Sequence, residues 1–177
     1  MAADAGAPHL IFVGLAGSGK STIGRAVAER LGRTFLDLDQ EILRREGVAN
    51  VGELFRARGE THFRQMEADL THALASSRGL VIAPGGGWIM APSSLATMQS
   101  VAFIIYLKVS PETALARIGS DLGNRPLLDH PDPVGELRRQ LETRGPKYEQ
   151  AADLVIDAEH LSPDEITAAV VAFAAAN

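Results

Sequence analysis

Cysteine is absent from this 177-residue chain, which excludes disulfides and thiolate metal sites together. Long apolar runs are missing too. None approaches the roughly 20 residues that a helix needs to span a bilayer, so no membrane segment is expected. The five histidines, His9, His62, His72, His130 and His160, show no metal-ligand spacing. Positive charge is not in excess. With 17 basic against 22 acidic residues and a net charge of −5, a general nucleic-acid binder is disfavoured, although a local basic cluster can still hold an anion. Lysine is scarce: Lys20, Lys108 and Lys147 stand against fourteen arginines, an imbalance that codon bias explains at most positions. The opening "MAADAGAP" has neither a basic n-region nor an apolar h-region. Residues 1–8 therefore read as a flexible lead into a cytoplasmic chain rather than as a signal.

What is present suits one well-packed domain over residues 9–177: the chain is 46% hydrophobic and 22% charged, with no room for a second full core. Strand and helix signals alternate along it. "HLIFV" is a short apolar run, and Ile23, Val27 and Leu31 then recur every four residues until Gly32 stops the pattern. "RTFLDLD" predicts a second strand. Phe63, Met66, Leu70 and Leu74 form a helical stripe before the apolar "LVIA". The continuous run "VAFIIYLKV" suits a strand buried on both faces of a parallel sheet. Ser110 and Pro111 open a helix, "ADLVID" is a last strand, and Ser162, Pro163 and Glu165 form an N-cap, first-turn proline and capping-box acid. Five βα units imply an α/β fold, a doubly wound sheet with ligands at the carboxyl ends of its strands.

The first of those ends carries "GLAGSGKST", Gly14 to Thr22, which matches G-x-x-x-x-G-K-[ST] between a predicted strand and a predicted helix. Glycines let successive N–H groups face phosphate oxygens, and the helix N-terminus adds its dipole. Lys20 then reaches the β- and γ-phosphates, and Ser21 ligates Mg²⁺. No Asn-Lys-x-Asp guanine reader accompanies it. The second strand ends instead in "DLD", where a period of two puts Asp37 and Asp39 on one side, beside the phosphate loop if the two strands are neighbours. One carboxylate can hold a metal-bound water and the other accept a proton from an attacking hydroxyl, while a helix N-cap is the plainer role for either.

Two charged residues sit on apolar stripes and so demand partners. Glu67 shares a helix face with Phe63, Leu70 and Leu74, with Arg64 three residues before it: either an internal ion pair, or a carboxylate that aims Arg64 at an anionic substrate. Arg144 shares a stripe with Leu137 and Leu141, just before Gly145-Pro146, where the helix is expected to end. Arg138 and Arg139 read as solvated surface.

With these motifs in order, the chain resembles the shikimate kinases from about His9 to the C-terminal helix. The resemblance rests on the phosphate loop, on Asp37 and Asp39, and on Gly59, Glu60, Phe63, Arg64 and Glu67. It continues through the triple glycine Gly85–Gly87, Asn124-Arg125-Pro126-Leu127-Leu128, and Arg144, Pro146 and Tyr148. It implies a three-layer αβα P-loop kinase fold with a mainly parallel five-stranded sheet and a mobile lid, approximately residues 119–133. It implies Mg²⁺-dependent transfer of the γ-phosphoryl of ATP to the 3-hydroxyl of shikimate, a step of aromatic amino-acid biosynthesis, by a cytoplasmic monomer that binds neither nucleic acid nor membrane.

Residue by residue, the resemblance assigns Lys20, Asp39 and Arg125 to catalysis. Asp39 binds the reacting hydroxyl, Arg64 and Arg144 hold the substrate carboxylate, and Glu67, Gly85, Gly86 and Gly87 complete that site. ATP falls to Gly17, Ser18, Gly19, Lys20, Ser21, Thr22, Arg117, Arg125 and Pro163, with Arg117 and Pro163 around adenine, and metal to Ser21 and Asp37. The segment "GSDLGNRPLLDHPDP" is rich in Gly, Asp and Pro and lacks periodicity, which independently suits a closing lid. Trp88, the only tryptophan, departs from the small residue more usual after the third glycine. It either packs under the following helix, the preferred reading, or trims the substrate pocket. A gluconate-type kinase should lack the paired arginines and the triple glycine. A nucleotide-binding regulator without turnover would not need Lys20, Asp37, Asp39 and Arg125 together.

Overall fold

The computed structural model describes residues 6–177, apart from the burial of Gly123 and Asn124 and the side chain of Asn124. Residues 1–5 of the expected flexible lead, and the side chain of the motif residue Asn124, lie outside the described residues. Within that lead, Ala7 O accepts from Gly79 N–H at 2.8 Å and Pro8 O from Arg33 Nη1 at 3.1 Å.

The strands are β1 (His9–Val13), β2 (Phe35–Asp37), β3 (Val81–Ala83), β4 (Ala102–Lys108) and β5 (Leu154–Asp157). The helices are α1 (Lys20–Leu31), α2 (Leu38–Glu46), α3 (Val51–Arg58), α4 (Glu60–Leu74), α5 (Pro92–Met98), α6 (Pro111–Ile118), α7 (Pro133–Ala151) and α8 (Pro163–Ala176). Short 3₁₀ turns cover Trp88–Met90 and Asp121–Asn124.

The five strands form one sheet in the order β2-β3-β1-β4-β5, and every pairing is parallel. All five residues of the central strand β1 are buried. Their alternation serves two cores. Leu10 and Phe12 face α1, α6 and α8 through Ile23, Val27, Ala114, Ile166 and Val170, whereas Ile11 and Val13 face Ile42, Leu54, Phe63 and Trp88 on the other side. This is the three-layer arrangement the apolar runs imply. Helix α7 joins the layers across the carboxyl end of the sheet: Leu137 lies in the first core and Tyr148 in the second.

Two expectations need correction, and a condition attached to the first is not met. Strand β2 stops at Asp37, and Leu38 and Asp39 already belong to α2, so Asp37 and Asp39 are not aligned by strand alternation. Asp37 is the N-cap of α2, its Oδ1 accepting from Gln40 N–H at 3.2 Å, a local bond that ends the strand there. Nor is β2 next to β1, because β3 lies between them. Finally, α7 does not end at Gly145-Pro146 but continues to Ala151. An interior proline costs a helix ~3 kcal/mol, and tertiary contacts override it here. Tyr148 stacks on Tyr106 of β4 with ring centroids 5.0 Å apart and donates from its hydroxyl to Gly86 O at 2.5 Å. Helix α3 carried no sequence assignment, and α2 and α5 were implied only as the helix that Asp37 or Asp39 could cap and the helix following Trp88. Asn50 caps α3 by accepting from Glu53 N–H at 2.9 Å, and Pro92 occupies the first turn of α5.

Candidate active site

Strand β1 delivers the chain into the phosphate loop, where Gly14, Gly17 and Gly19 all take positive φ (144°, 81° and 97°). At Gly17 the need for glycine is also steric: a Cβ would lie 2.3 Å from Ala114 O. Gly19 begins α1 without a side-chain cap, so the first N–H groups of that helix remain free for an anion. Lys20 folds over the loop and donates to Gly14 O (2.9 Å) and Leu15 O (2.8 Å). Burial pushes its pKa down to about 8, with Asp39 opposing the shift. Ser21 Oγ donates to Asp37 Oδ2 at 2.7 Å.

Facing this loop, the triple glycine follows β3. None of the three glycines has a positive φ, so their backbone does not require glycine, and their surroundings do. A Cβ on Gly85 would meet Asp39 Oδ1 at 3.0 Å and Glu67 Oε1 at 3.4 Å. On Gly86 it would meet Gly14 O at 3.3 Å and Arg144 Nη1 at 3.4 Å, and on Gly87 it would meet Arg64 Nη2 at 2.6 Å. The space that three side chains would fill is filled by four charged groups and the edge of the phosphate loop. The glycines thus let Asp39, Glu67, Arg144 and Arg64 converge on one strip of backbone opposite Lys20.

The two arginines are held by side-chain bonds, and the two carboxyl groups keep an unpartnered oxygen each. Arg64 Nη1 donates to Glu67 Oε2 at 2.9 Å, and its Nη2 and Nε donate to Glu60 Oε1 at 3.1 and 3.3 Å. Glu67 is buried, and its Oε1 lies against Gly85 without a well-formed hydrogen bond. Burial pushes it up to about 7, Arg64 pulling the other way. The Oδ1 of Asp39 is shielded from solvent and unpartnered, and burial, reinforced by the Asp37 charge, pushes this carboxyl up to about 6. Arg144 Nη1 donates to Gln140 Oε1 at 2.9 Å, and Gln140 Nε2 donates to Glu136 Oε1 at 3.0 Å, a relay along one face of α7.

A cleft of about 760 Å³ unites these groups. Gly17, Ser18, Gly19, Lys20, Ser21 and Thr22 line it together with Asp37, Asp39, Arg64, Gly85, Gly86, Gly87, Arg117, Arg125, Arg144 and Pro163. Arg117 Nη2 donates to Ala158 O at 2.8 Å, which brings α6 to the segment leading into α8. Arg125 pairs with Asp121 at 3.5 Å, and its Nε is buried without a partner. Apart from Glu67, which lies behind the glycines, the residues that the resemblance assigns to catalysis, substrate, ATP and metal border this one cleft. Trp88 does not line it. The indole is buried among Ile11, Leu38, Ile82 and Met98, in agreement with the packing alternative.

Sequence reasoning missed Gln140 and Thr71, and gave Glu60 and Tyr148 no role although both stood in the motifs. Gln140 was legible in principle, since it precedes Arg144 by four residues on the same helix face. Tyr148 and Thr71 act through bonds to distant segments, for which no local signal exists.

A glycine-rich loop opening a helix beneath a parallel sheet, with a lysine, a serine-carboxylate pair and a facing strip of carboxylates and guanidinium groups, defines a P-loop phosphotransferase of small-molecule kinase type. Comparison with known proteins narrows the class. The family model described as Shikimate kinase matches residues 16–175. A shikimate kinase of Xanthomonas campestris pv. campestris (strain 8004) is 39% identical over 165 residues, 93% of this chain and 91% of that one. Another from Xanthomonas euvesicatoria pv. vesicatoria (strain 85-10) is 41% identical over 165 residues, with the same coverage. Among solved structures, shikimate kinase from Acinetobacter baumannii in complex with shikimate superposes with a TM-score of 0.90 at 34% identity, covering 97% of this chain and 94% of that one. The chain belongs to the shikimate kinase family. A gluconokinase from Sinorhizobium meliloti 1021, at 21% identity and a TM-score of 0.61, shares the fold alone. Among the described residues, no helix is long and apolar enough to cross a membrane.

Proposed function

We propose that the chain phosphorylates the 3-hydroxyl of shikimate with ATP, giving shikimate 3-phosphate and ADP. The observation that carries the reading is the convergence of two guanidinium groups, Arg64 and Arg144, with the unpartnered carboxyl oxygen of Asp39 on the glycine strip opposite Lys20. A small acid whose carboxylate lies between the arginines presents a ring hydroxyl to Asp39. Arginines suit that task because each offers a rigid fork of donors to a carboxylate.

Asp39 accepts the hydroxyl proton at Oδ1. Its raised pKa of about 6 makes it a stronger base than an exposed aspartate while it stays ionised at neutral pH. Lys20 exchanges the carbonyls of Gly14 and Leu15 for phosphate oxygens, and the free N–H groups of the loop and of α1 hold the rest of the triphosphate. Arg125 brings a further cation to the transferring group, and Arg117 and Pro163 border the adenine end. Closure of residues 119–133 over the substrates excludes water, which would otherwise compete as acceptor.

The Ser21 hydroxyl and the Asp37 carboxylate, bonded to each other at the mouth of the loop, are hard oxygen donors suited to Mg²⁺. Among the described residues no three His, Asp or Glu side chains could hold a metal unaided, which fits an ion that keeps water and phosphate ligands. Ser21 and Asp37 would hold Mg²⁺ there, and the ion would supply positive charge against the β- and γ-phosphates.

A coupled ADP-release assay with shikimate, quinate and gluconate as separate acceptors tests the proposal. Turnover with shikimate at a kcat/KM far above the other two is expected. A preference for gluconate, or nucleotide binding without turnover, would overturn it.

A further inference from the structure

The buried edge of α4 makes a second fastening to the glycine strip, remote from the cleft. Trp88 follows Gly87 directly, and its indole Nε1 donates to Thr71 Oγ1 at 3.0 Å. Thr71 spends its one hydroxyl proton on Glu67 O, at 2.7 Å, so a lone pair is left to face the indole. Both side chains are buried, and around the ring Ile11, Leu38, Leu74, Ile82 and Met98 supply no alternative acceptor.

Residues 64, 67 and 71 follow one face of α4, and each meets the segment Gly85–Trp88. Arg64 lies against Gly87, Glu67 against Gly85, and Thr71 against Trp88. Two of these contacts are made by groups assigned to substrate. The third has no access to the cleft and is the only one tied by a neutral hydrogen bond.

We infer that Trp88 and Thr71 form a clamp that sets the position of Arg64 and Glu67 against the glycine strip, and so tunes affinity for the acceptor's carboxylate without touching it. Both are positioning residues. The inference rests on the proposed function for its kinetic consequence but not for its structural one. ATP contacts come from the phosphate loop, α6 and the start of α8, on the other side of the sheet's carboxyl end, so the clamp leaves them alone. The departure of Trp88 from a small residue acquires a role: the indole N–H supplies the donor that a small residue could not.

The test uses Thr71→Val, which keeps shape and loses the acceptor, Trp88→Phe, which keeps most of the ring and loses the donor, the double variant, and Thr71→Ser, which restores the hydroxyl. A neutral buried hydrogen bond is worth about a three- to tenfold effect. Thr71→Val and Trp88→Phe should each raise the KM for shikimate by about that factor, with the KM for ATP unchanged. The double variant should be no worse than the poorer single one, since one bond is lost in every case, and Thr71→Ser should return to the parent value. In the ligand-free protein, amide hydrogen exchange at Arg64–Glu67 should quicken in Thr71→Val and not in Thr71→Ser. A parallel rise in both KM values, single effects that multiply in the double variant, or exchange at Arg64–Glu67 that ignores the hydroxyl would each overturn the clamp. If the parent chain does not phosphorylate shikimate at all, the proposed function fails by itself, and amide exchange still decides the clamp.

Discussion

Replacing Gly87 with alanine isolates the steric purpose of the triple glycine, because the backbone at this position is not in question. Gly87 has φ −85° and ψ −10°, a conformation alanine adopts without strain. The added methyl carbon would lie 2.6 Å from Arg64 Nη2 and 2.9 Å from Cζ and Nη1. Restoring ordinary contact at 3.4 Å requires the guanidinium to retreat by about 0.8 Å. Nη1, which makes the 2.9 Å bond to Glu67 Oε2, would itself lie 2.9 Å from the new carbon and must shift by about 0.5 Å, so that bond loses its parent geometry. Because the obstacle is the end of a flexible side chain, the fold can absorb the change, and the loss should fall on whatever Arg64 binds.

Removing one partner of a buried charge pair outright costs roughly 2–5 kcal/mol. Displacing it should cost less, so a rise of about ten- to a hundredfold in the KM for shikimate is expected, corresponding to ~1.4–2.8 kcal/mol. The melting temperature and the KM for ATP should hardly move. Gly86→Ala is the internal comparison: its nearest neighbours are Gly14 O at 3.3 Å and Arg144 Nη1 at 3.4 Å, tight but not overlapping, so its effect should be smaller. Coupled ADP release with each substrate varied in turn, alongside a thermal melt, measures all of these. A shikimate KM within twofold of the parent for Gly87→Ala, or an equal rise for ATP, would refute the claim that the third glycine exists to admit Arg64.

The remaining expectations concern the charged groups themselves. Lys20→Ala and Asp39→Asn should each fold and lose a factor of ~10²–10³ in kcat, as for the removal of a preorganised transition-state group; wild-type kcat in either would cancel its role. Arg144→Ala should weaken shikimate binding by roughly 2–5 kcal/mol in direct titration while ATP binding persists, and equal losses would point to a structural role. Glu67 makes stability depend on pH. Burial raises its folded pKa to about 7 from an ordinary value of 4.5, so its contribution is fully present below about 4.5 and is lost as pH rises through about 7. Glu67→Gln cannot titrate, so its melting temperature relative to the parent should improve from about pH 5 to about pH 8.5. A difference, variant minus parent, that stays flat or falls over this range would show that Glu67 is not held buried with a raised pKa.

Much of this site was legible because its residues contradict their surroundings. An acid and an arginine on apolar stripes, three glycines after a strand and a lysine in a glycine-rich turn each violate a local preference, and each violation marks a group the cleft uses. What escaped the sequence depended on distance along the chain. Asp37 and Asp39 reach the cleft as expected but by another route, since a cap bond from Asp37 turns the chain into α2 and puts Asp39 in its first turn. No local pattern separates that turn from one more residue of strand. Pro146 misled for a related reason: a helix stop is a local rule, and the bond from Tyr148 to Gly86 is 62 residues away in sequence. That same bond fixes the strip that Arg144 faces, so the residue that keeps α7 helical past its proline also fixes one wall of the cleft. Removing the Tyr148 hydroxyl should therefore free the Gly86 carbonyl and loosen the end of α7 together, leaving the stacking on Tyr106 to offset the proline.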